Sequence, residues 1–172
     1  MGLKEQVMEL LAAGRQDELA GLAAGNRRVV RHLVGRLWDP DPVVRRAAAR
    51  ALGEAAALHP DLGRDVVRRL LWALNDESGA DGRDGLLGLG WIGRAAPGLL
   101  APHVGALVEM AWDDGLRVRL LEALCVAAEG APELLEPHVD RLGEWIDESN
   151  DDEVRLWQRL RALVEGGGTH AS

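Results

Sequence analysis

The chain has no phenylalanine and no tyrosine, only one cysteine and only one lysine. These shortages narrow the field before any motif is read. With six Trp as the only aromatics, an interior must be filled mainly by Ala, Leu and Val. That set suits closely packed helices better than a sheet, which favours β-branched and aromatic residues. Cys125 stands alone, which excludes an intrachain disulfide and a thiolate cluster for metal. No stretch approaches the ~20 apolar residues needed to span a bilayer. Met1-Gly2-Leu3-Lys4-Glu5 leads into an amphipathic stretch with no signal-type apolar run, and Gln6 breaks the myristoylation pattern. A cytoplasmic location without membrane contact is the default expectation.

The formal charge is −8 over 172 residues, a length suited to one domain. Phosphate binding is mostly electrostatic, so this balance argues against nucleic acid as the main ligand. The charge is unevenly placed: residues 1–75 carry +3 and residues 76–172 carry −11. An acidic C-terminal half could recruit a basic partner, although acidic surfaces also serve solubility alone.

A repeat is the main signal. Ala96-Pro97-Gly98-Leu99-Leu100-Ala101-Pro102-His103-Val104 returns 35 residues later as Ala131-Pro132-Glu133-Leu134-Leu135-Glu136-Pro137-His138-Val139, identical at seven of nine positions. Leu33, Leu70, Leu107 and Leu142 continue the register. Each leads into an apolar helix end followed by acidic residues, as in Leu37-Trp38-Asp39-Pro40-Asp41, Leu74-Asn75-Asp76-Glu77, Ala111-Trp112-Asp113-Asp114 and Ile146-Asp147-Glu148. Val44-Arg45, Val118-Arg119 and Val154-Arg155 follow three of these turns. Each unit therefore reads as helix A, a short acidic turn, helix B, and a Pro- or Gly-marked connection. In 61–75 one apolar face holds Val66, Val67, Leu70, Leu71 and Leu74; in 42–57 it holds Val44, Ala47, Ala48, Ala51, Leu52 and Ala55. Asp and Ser in the turns suit N-caps, and Pro42 sits where a first-turn proline is tolerated. One such hairpin cannot bury its apolar face alone, so the units must stack.

With its apolar A helix, Asp-bearing turn, Val-Arg opening and Ala51-Leu52-Gly53, the unit resembles a HEAT repeat. The resemblance covers residues 26–165 and implies an all-α, right-handed α-α superhelix. Its four hairpins would span 26–59, 60–96, 97–130 and 131–165, after an N-terminal capping hairpin at 1–25 and before a flexible tail at 166–172. The second unit departs from the pattern, with Gly85 in the place of Arg45 and Arg119. Fold says little about function in this class. The reading it favours is a non-enzymatic scaffold that binds another protein, with a basic partner and a homo-oligomer both open. An alternative is a HEAT-like lyase or chaperone acting on a tetrapyrrole-bearing protein, which would need an apolar groove. A related DNA-repair glycosylase class would need a basic, aromatic-lined channel.

Candidate chemistry is sparse. The turn aspartates Asp39, Asp76 and Asp113, with Arg45, Arg119 and Arg155, are expected to form a structural ladder between units, with a partner-binding acidic ridge as the rival reading. Gly88-Leu89-Gly90-Trp91-Ile92-Gly93 matches a dinucleotide fingerprint in letters only, because no strand precedes it. Six glycines between 79 and 93 either let helices approach closely or loosen a B helix that orders on a partner. Segment 78–93 is accordingly a candidate part of the binding surface. Aligning the Val-Arg dipeptides and stepping three and six residues on gives groove candidates: Trp91, Glu122, Gln158 and Arg161, with Arg46 and Arg50. Trp and Arg are enriched in binding hot spots. His103 and His138 occupy equivalent places but lack a third ligand, and Cys125 reads as a small core residue. No Ser-His-Asp set, phosphate loop or paired carboxylates stand out, so no catalytic residue, metal or cofactor is expected.

Overall fold

Proline, aspartate and glycine punctuate the chain where it turns, and helices fill the intervals. The computed structural model describes residues 1–76 and 82–168, and among these there is no strand. Helices α1 (Leu3–Ala12) and α2 (Gln16–Gly25) form a first hairpin, closed by Gly14 in the left-handed region at φ +69. Helices α3 (Arg27–Arg36) and α4 (Pro42–Leu58) form the second, α5 (Pro60–Asn75) and α6 (Leu86–Ala95) the third. The fourth pairs an interrupted outer segment, α7 (Pro97–Leu100) and α8 (Val104–Glu109), with α9 (Asp114–Gly130). The fifth pairs α10 (Val139–Gly143) with α11 (Asp151–Gly168).

Two layers result. Helices α2, α4, α6, α9 and α11 pack side by side in chain order, and α1, α3, α5, α7, α8 and α10 lie outside them. The chain is an all-α, HEAT-like solenoid. The outer layer breaks where Pro102 and Pro137 would sit inside a helix. A proline there lacks the N–H and collides with the preceding turn, so the backbone tightens into 3-10 turns at Ala101–His103 and Glu136–His138. At the start of α4, by contrast, Pro42 takes the first-turn position and the Asp41 carboxylate accepts from the Val43 N–H at 2.9 Å. Asp113 caps α9 in the same way, through Gly115 N–H.

Leucine carries the core. Leu33, Leu37, Leu52, Leu70, Leu89, Leu107, Leu120 and Leu160 are all essentially inaccessible, each contributing about 2 kcal/mol of apolar burial. Between inner helices the spacing is set by glycine. A Cβ on Gly53 would stand 2.5 Å from the Trp91 carbonyl oxygen, one on Gly90 2.5 Å from that of Ala123, and one on Gly130 2.5 Å from that of Arg94. Backbones of α4, α6 and α9 thus touch directly. Close approach accounts for the glycines of α6, which is helical and closely packed. Gly79 and residues 77–81 as a whole lie outside the described residues.

Helix α11 continues to Gly168, so residues 166–168 are helical rather than part of a flexible tail. Gly167 lies against Pro132, closer than any side chain would allow, and that contact is available only to glycine. Residues 169–172, with His170, lie outside the described residues.

A candidate binding groove across the inner helices

The inner layer presents a groove of about 680 Å³ that runs across α4, α6, α9 and α11. Its apolar surface comes from Leu87, Trp91, Val126 and Leu156. Around it stand Arg45, Arg46, Arg94, Arg119, Arg155 and Arg159. Asp84, Glu122 and Glu129 are the carboxylates among the lining residues, so six arginines against three acids leave a local +3 in a chain of −8.

These charges differ in how they are satisfied. At one end the Glu129 carboxylate takes Arg94 from α6 at 2.5 Å and Arg159 from α11. Arg119 reaches Asp84, just before α6, at 2.5 Å. Arg45 spends Nη1 on the carbonyls of Asp39 and Pro40, at 2.7 and 3.1 Å, which leaves its charge without a direct carboxylate. Arg155 is 3.6 Å from Asp152 and exposed. Arg46 is exposed and has no hydrogen-bond or ion-pair partner among the described residues. Trp91 is half-buried, with the Arg94 guanidinium 4.9 Å and that of Arg50 6.0 Å from its ring centroid. Its buried indole N–H has no acceptor among the described residues.

Of the residues proposed from sequence, Arg46, Trp91 and Glu122 line this groove, joined there by Arg45, Arg119 and Arg155. Arg50 lies beside it, bonded to Glu54 at 3.1 Å. Gln158 and Arg161 are exposed but do not line it; Arg161 instead turns to Glu165 and the Trp157 ring. In α11 stepping by three and six from Arg155 leaves the groove face, although in α6 and α9 it reached Trp91 and Glu122. At 3.6 residues per turn a step of six lands 120° off the starting face, whereas steps of four and seven stay on it. Leu87, Trp91 and Arg94 follow the latter spacing in α6, and Arg155 and Arg159 follow it in α11. Counted on from Arg155 it gives Arg159, while Arg94 and Glu129 lie seven residues after Leu87 and Glu122.

The expected ladder takes another form. Arg45 caps carbonyls of its own turn, Arg155 stays within its own helix, and only Arg119 crosses between units, to Asp84 rather than to Asp76 or Asp113. Asp39 binds Arg36 at 3.0 Å and the Asp41 N–H. That amide first, then Arg36, holds its carboxyl below the usual range against an opposing desolvation. The Ser149 hydroxyl and amide do the same for Asp147, so these turn carboxylates are occupied by their own loops. The buried cross-unit pair among the described residues is Arg117–Glu153, 7% and 2% exposed. Arg117 donates to both Glu153 oxygens at 3.1 and 3.2 Å and to the Ala111 carbonyl at 2.7 Å, while the Asp147 N–H donates to Glu153. Counting from the N-caps explains the miss. Arg45 lies four residues after Asp41 and Arg117 four after Asp113, so the Val-Arg alignment is two residues out of register between those units.

Cys125 is 2% exposed, its thiol facing the Leu156 carbonyl at 3.5 Å. Burial pushes the thiol up to about 11, so it stays protonated at neutral pH and is a poor nucleophile. No group of three or more His, Cys, Asp and Glu able to hold a metal occurs among the described residues, and no helix there is long and apolar enough to cross a membrane.

Hairpins stacked in register, each covering the apolar face of the next, define a helical-repeat protein. Within that class a family model, the HEAT repeat, matches residues 29–59, which take in α4 and nearly all of α3. The chain thus contains a HEAT repeat, and proteins built from such repeats generally act as scaffolds for other proteins. No curated protein and no solved structure matches the chain.

Proposed function

We propose that the chain is a protein-binding scaffold whose inner-helix groove takes a segment of a partner polypeptide. The division into units at 26–59, 60–96, 97–130 and 131–165 after a cap at 1–25 belongs to this reading, as does the absence of a catalytic role. The observation that carries it is the pairing, in one groove, of a half-buried Trp91 with six arginines, of which Arg46 is exposed and has no carboxylate partner among the described residues. An aromatic anchor ringed by guanidinium groups is the composition of an interface hot spot. The acidic turn edge is a weaker candidate, because Asp39, Asp41, Asp113 and Asp147 already accept backbone N–H groups. Handling of a pigment fits less well, since the groove is rimmed by arginine rather than apolar throughout.

A photo-crosslinking side chain placed at Glu122, in the groove, should capture polypeptide in the native cell. The same group at Trp72, exposed on the outer layer, should capture little. Equal capture at both positions, or capture only from Asp114 on the turn edge, would remove the groove from this role.

A further inference from the structure

Resting on that reading, we infer that the partner segment is acidic: a short run rich in Asp and Glu carrying an apolar residue that seats against Trp91. The argument is charge complementarity at two scales. Locally, Arg46 is exposed with no ion pair among the described residues, Arg45 bonds only carbonyls and Arg155 meets only the exposed Asp152 at 3.6 Å, against Glu122 as the one lining acid without an ion pair there. Nineteen of the twenty basic residues are arginine, whose planar fork suits carboxylates held in pairs of hydrogen bonds. The spacing suits an extended segment. Arg46 and Arg155 sit on α4 and α11 with α6 and α9 between them, successive inner helices being roughly 8–10 Å apart, so carboxylates near the two ends of a strand-like peptide can meet them. Leu87, Trp91, Val126 and Leu156 lie among them as an apolar seat.

At the larger scale, a groove of +3 in a chain of −8 leaves −11 elsewhere, +1 of it in residues 1–75 and −12 in residues 76–172. The C-terminal side limits how long an anion can be. A duplex nucleic acid carries one charge per ~1.7 Å of axis, and any length overhanging the groove on the α11 side lies on repulsive ground within about a Debye length of ~8 Å. A short acidic segment places its charge inside the groove only. The field beside the site therefore selects against long polyanions, and the groove's own arginines select against basic peptides.

The test uses the full chain and a fluorescein-labelled peptide of alternating Asp and Glu with one central Leu, followed by fluorescence anisotropy. Binding should weaken as salt rises. The Arg46→Glu/Arg155→Glu variant should lose roughly tenfold or more in affinity for the acidic peptide. The Arg64→Glu/Arg68→Glu variant changes the net charge by the same amount on outer helix α5, where both side chains are exposed, and should shift affinity less than about twofold. All four arginines are solvent-exposed, and an unchanged far-ultraviolet helical signal checks that each variant is folded. Equal losses in both variants would overturn the inference in favour of a diffuse electrostatic effect. A duplex oligonucleotide that binds as tightly as the peptide, and loses affinity in the groove variant, would overturn it in favour of nucleic acid. If an Arg/Lys peptide with the same central Leu binds instead, and Trp91→Ala weakens it, the acidic class falls while the groove keeps its role. If neither peptide binds, the inference fails and the crosslinking experiment alone decides the groove.

Discussion

The two layers of this solenoid are built on opposite terms. Inner helices α4, α6 and α9 meet backbone to backbone on glycine, and their charged side chains reach across to the next unit: Arg94 to Glu129, Arg159 to Glu129, Arg119 to Asp84 and Arg117 to Glu153. Outer helices are interrupted at proline, and most of their ion pairs stay local, as in Arg64–Asp61, Arg68–Asp65 and Arg36–Asp39. Arg141–Glu109, between α10 and α8, is the outer pair that crosses. A substitution should therefore be expensive in the inner layer and cheap in the outer one, even when its chemistry is the same.

The largest effect is expected at Glu153. Glu153→Ala strands the Arg117 guanidinium without its counter-charge in a buried place, a loss of about 3–5 kcal/mol, read as a lower midpoint in urea denaturation. Replacing both partners with apolar residues of similar volume should restore most of it; no restoration would mean that the loss came from packing. Next comes one substitution made in both layers. Gly90→Ala drives a methyl group into the Ala123 carbonyl of α9 and should cost about 1–3 kcal/mol. Gly35→Ala, in outer helix α3 with nothing near its would-be Cβ, should instead stabilise by roughly 0.5–1 kcal/mol through helix propensity. Equal signs at the two sites would erase the contrast. The smallest effect belongs to Asp65→Asn, which breaks an exposed pair with Arg68 and should move stability by less than about 0.5 kcal/mol.

The architecture was legible in the sequence because the Pro97 and Pro132 phrases mark hairpin connections, and Leu33, Leu70, Leu107 and Leu142 mark one buried face per unit. Helix starts at Asp41-Pro42 and Asp113 were legible for the same reason, since capping is local chemistry. What the sequence hid depends on register between units. Arg117 and Glu153 look like surface charges along the chain, and only the depth at which α9 and α11 meet turns them into a buried pair. Likewise Trp91 and Glu122 could be placed on the groove, whereas Arg94 and Glu129 became visible only once the stacked backbones showed which faces of α6 and α9 line it.

Glu129 has a mechanical consequence. Its carboxylate holds α6 and α11 from its seat on α9, so three consecutive rungs are pinned at one point. Between α4 and α6 no ion pair bridges the two helices among the described residues, and one Glu54 oxygen there is left without a partner. That joint is held instead by backbone contact at Gly53 and by Arg50 over the Trp91 ring, so losing the Glu129 carboxylate frees two joints at once and leaves this one untouched.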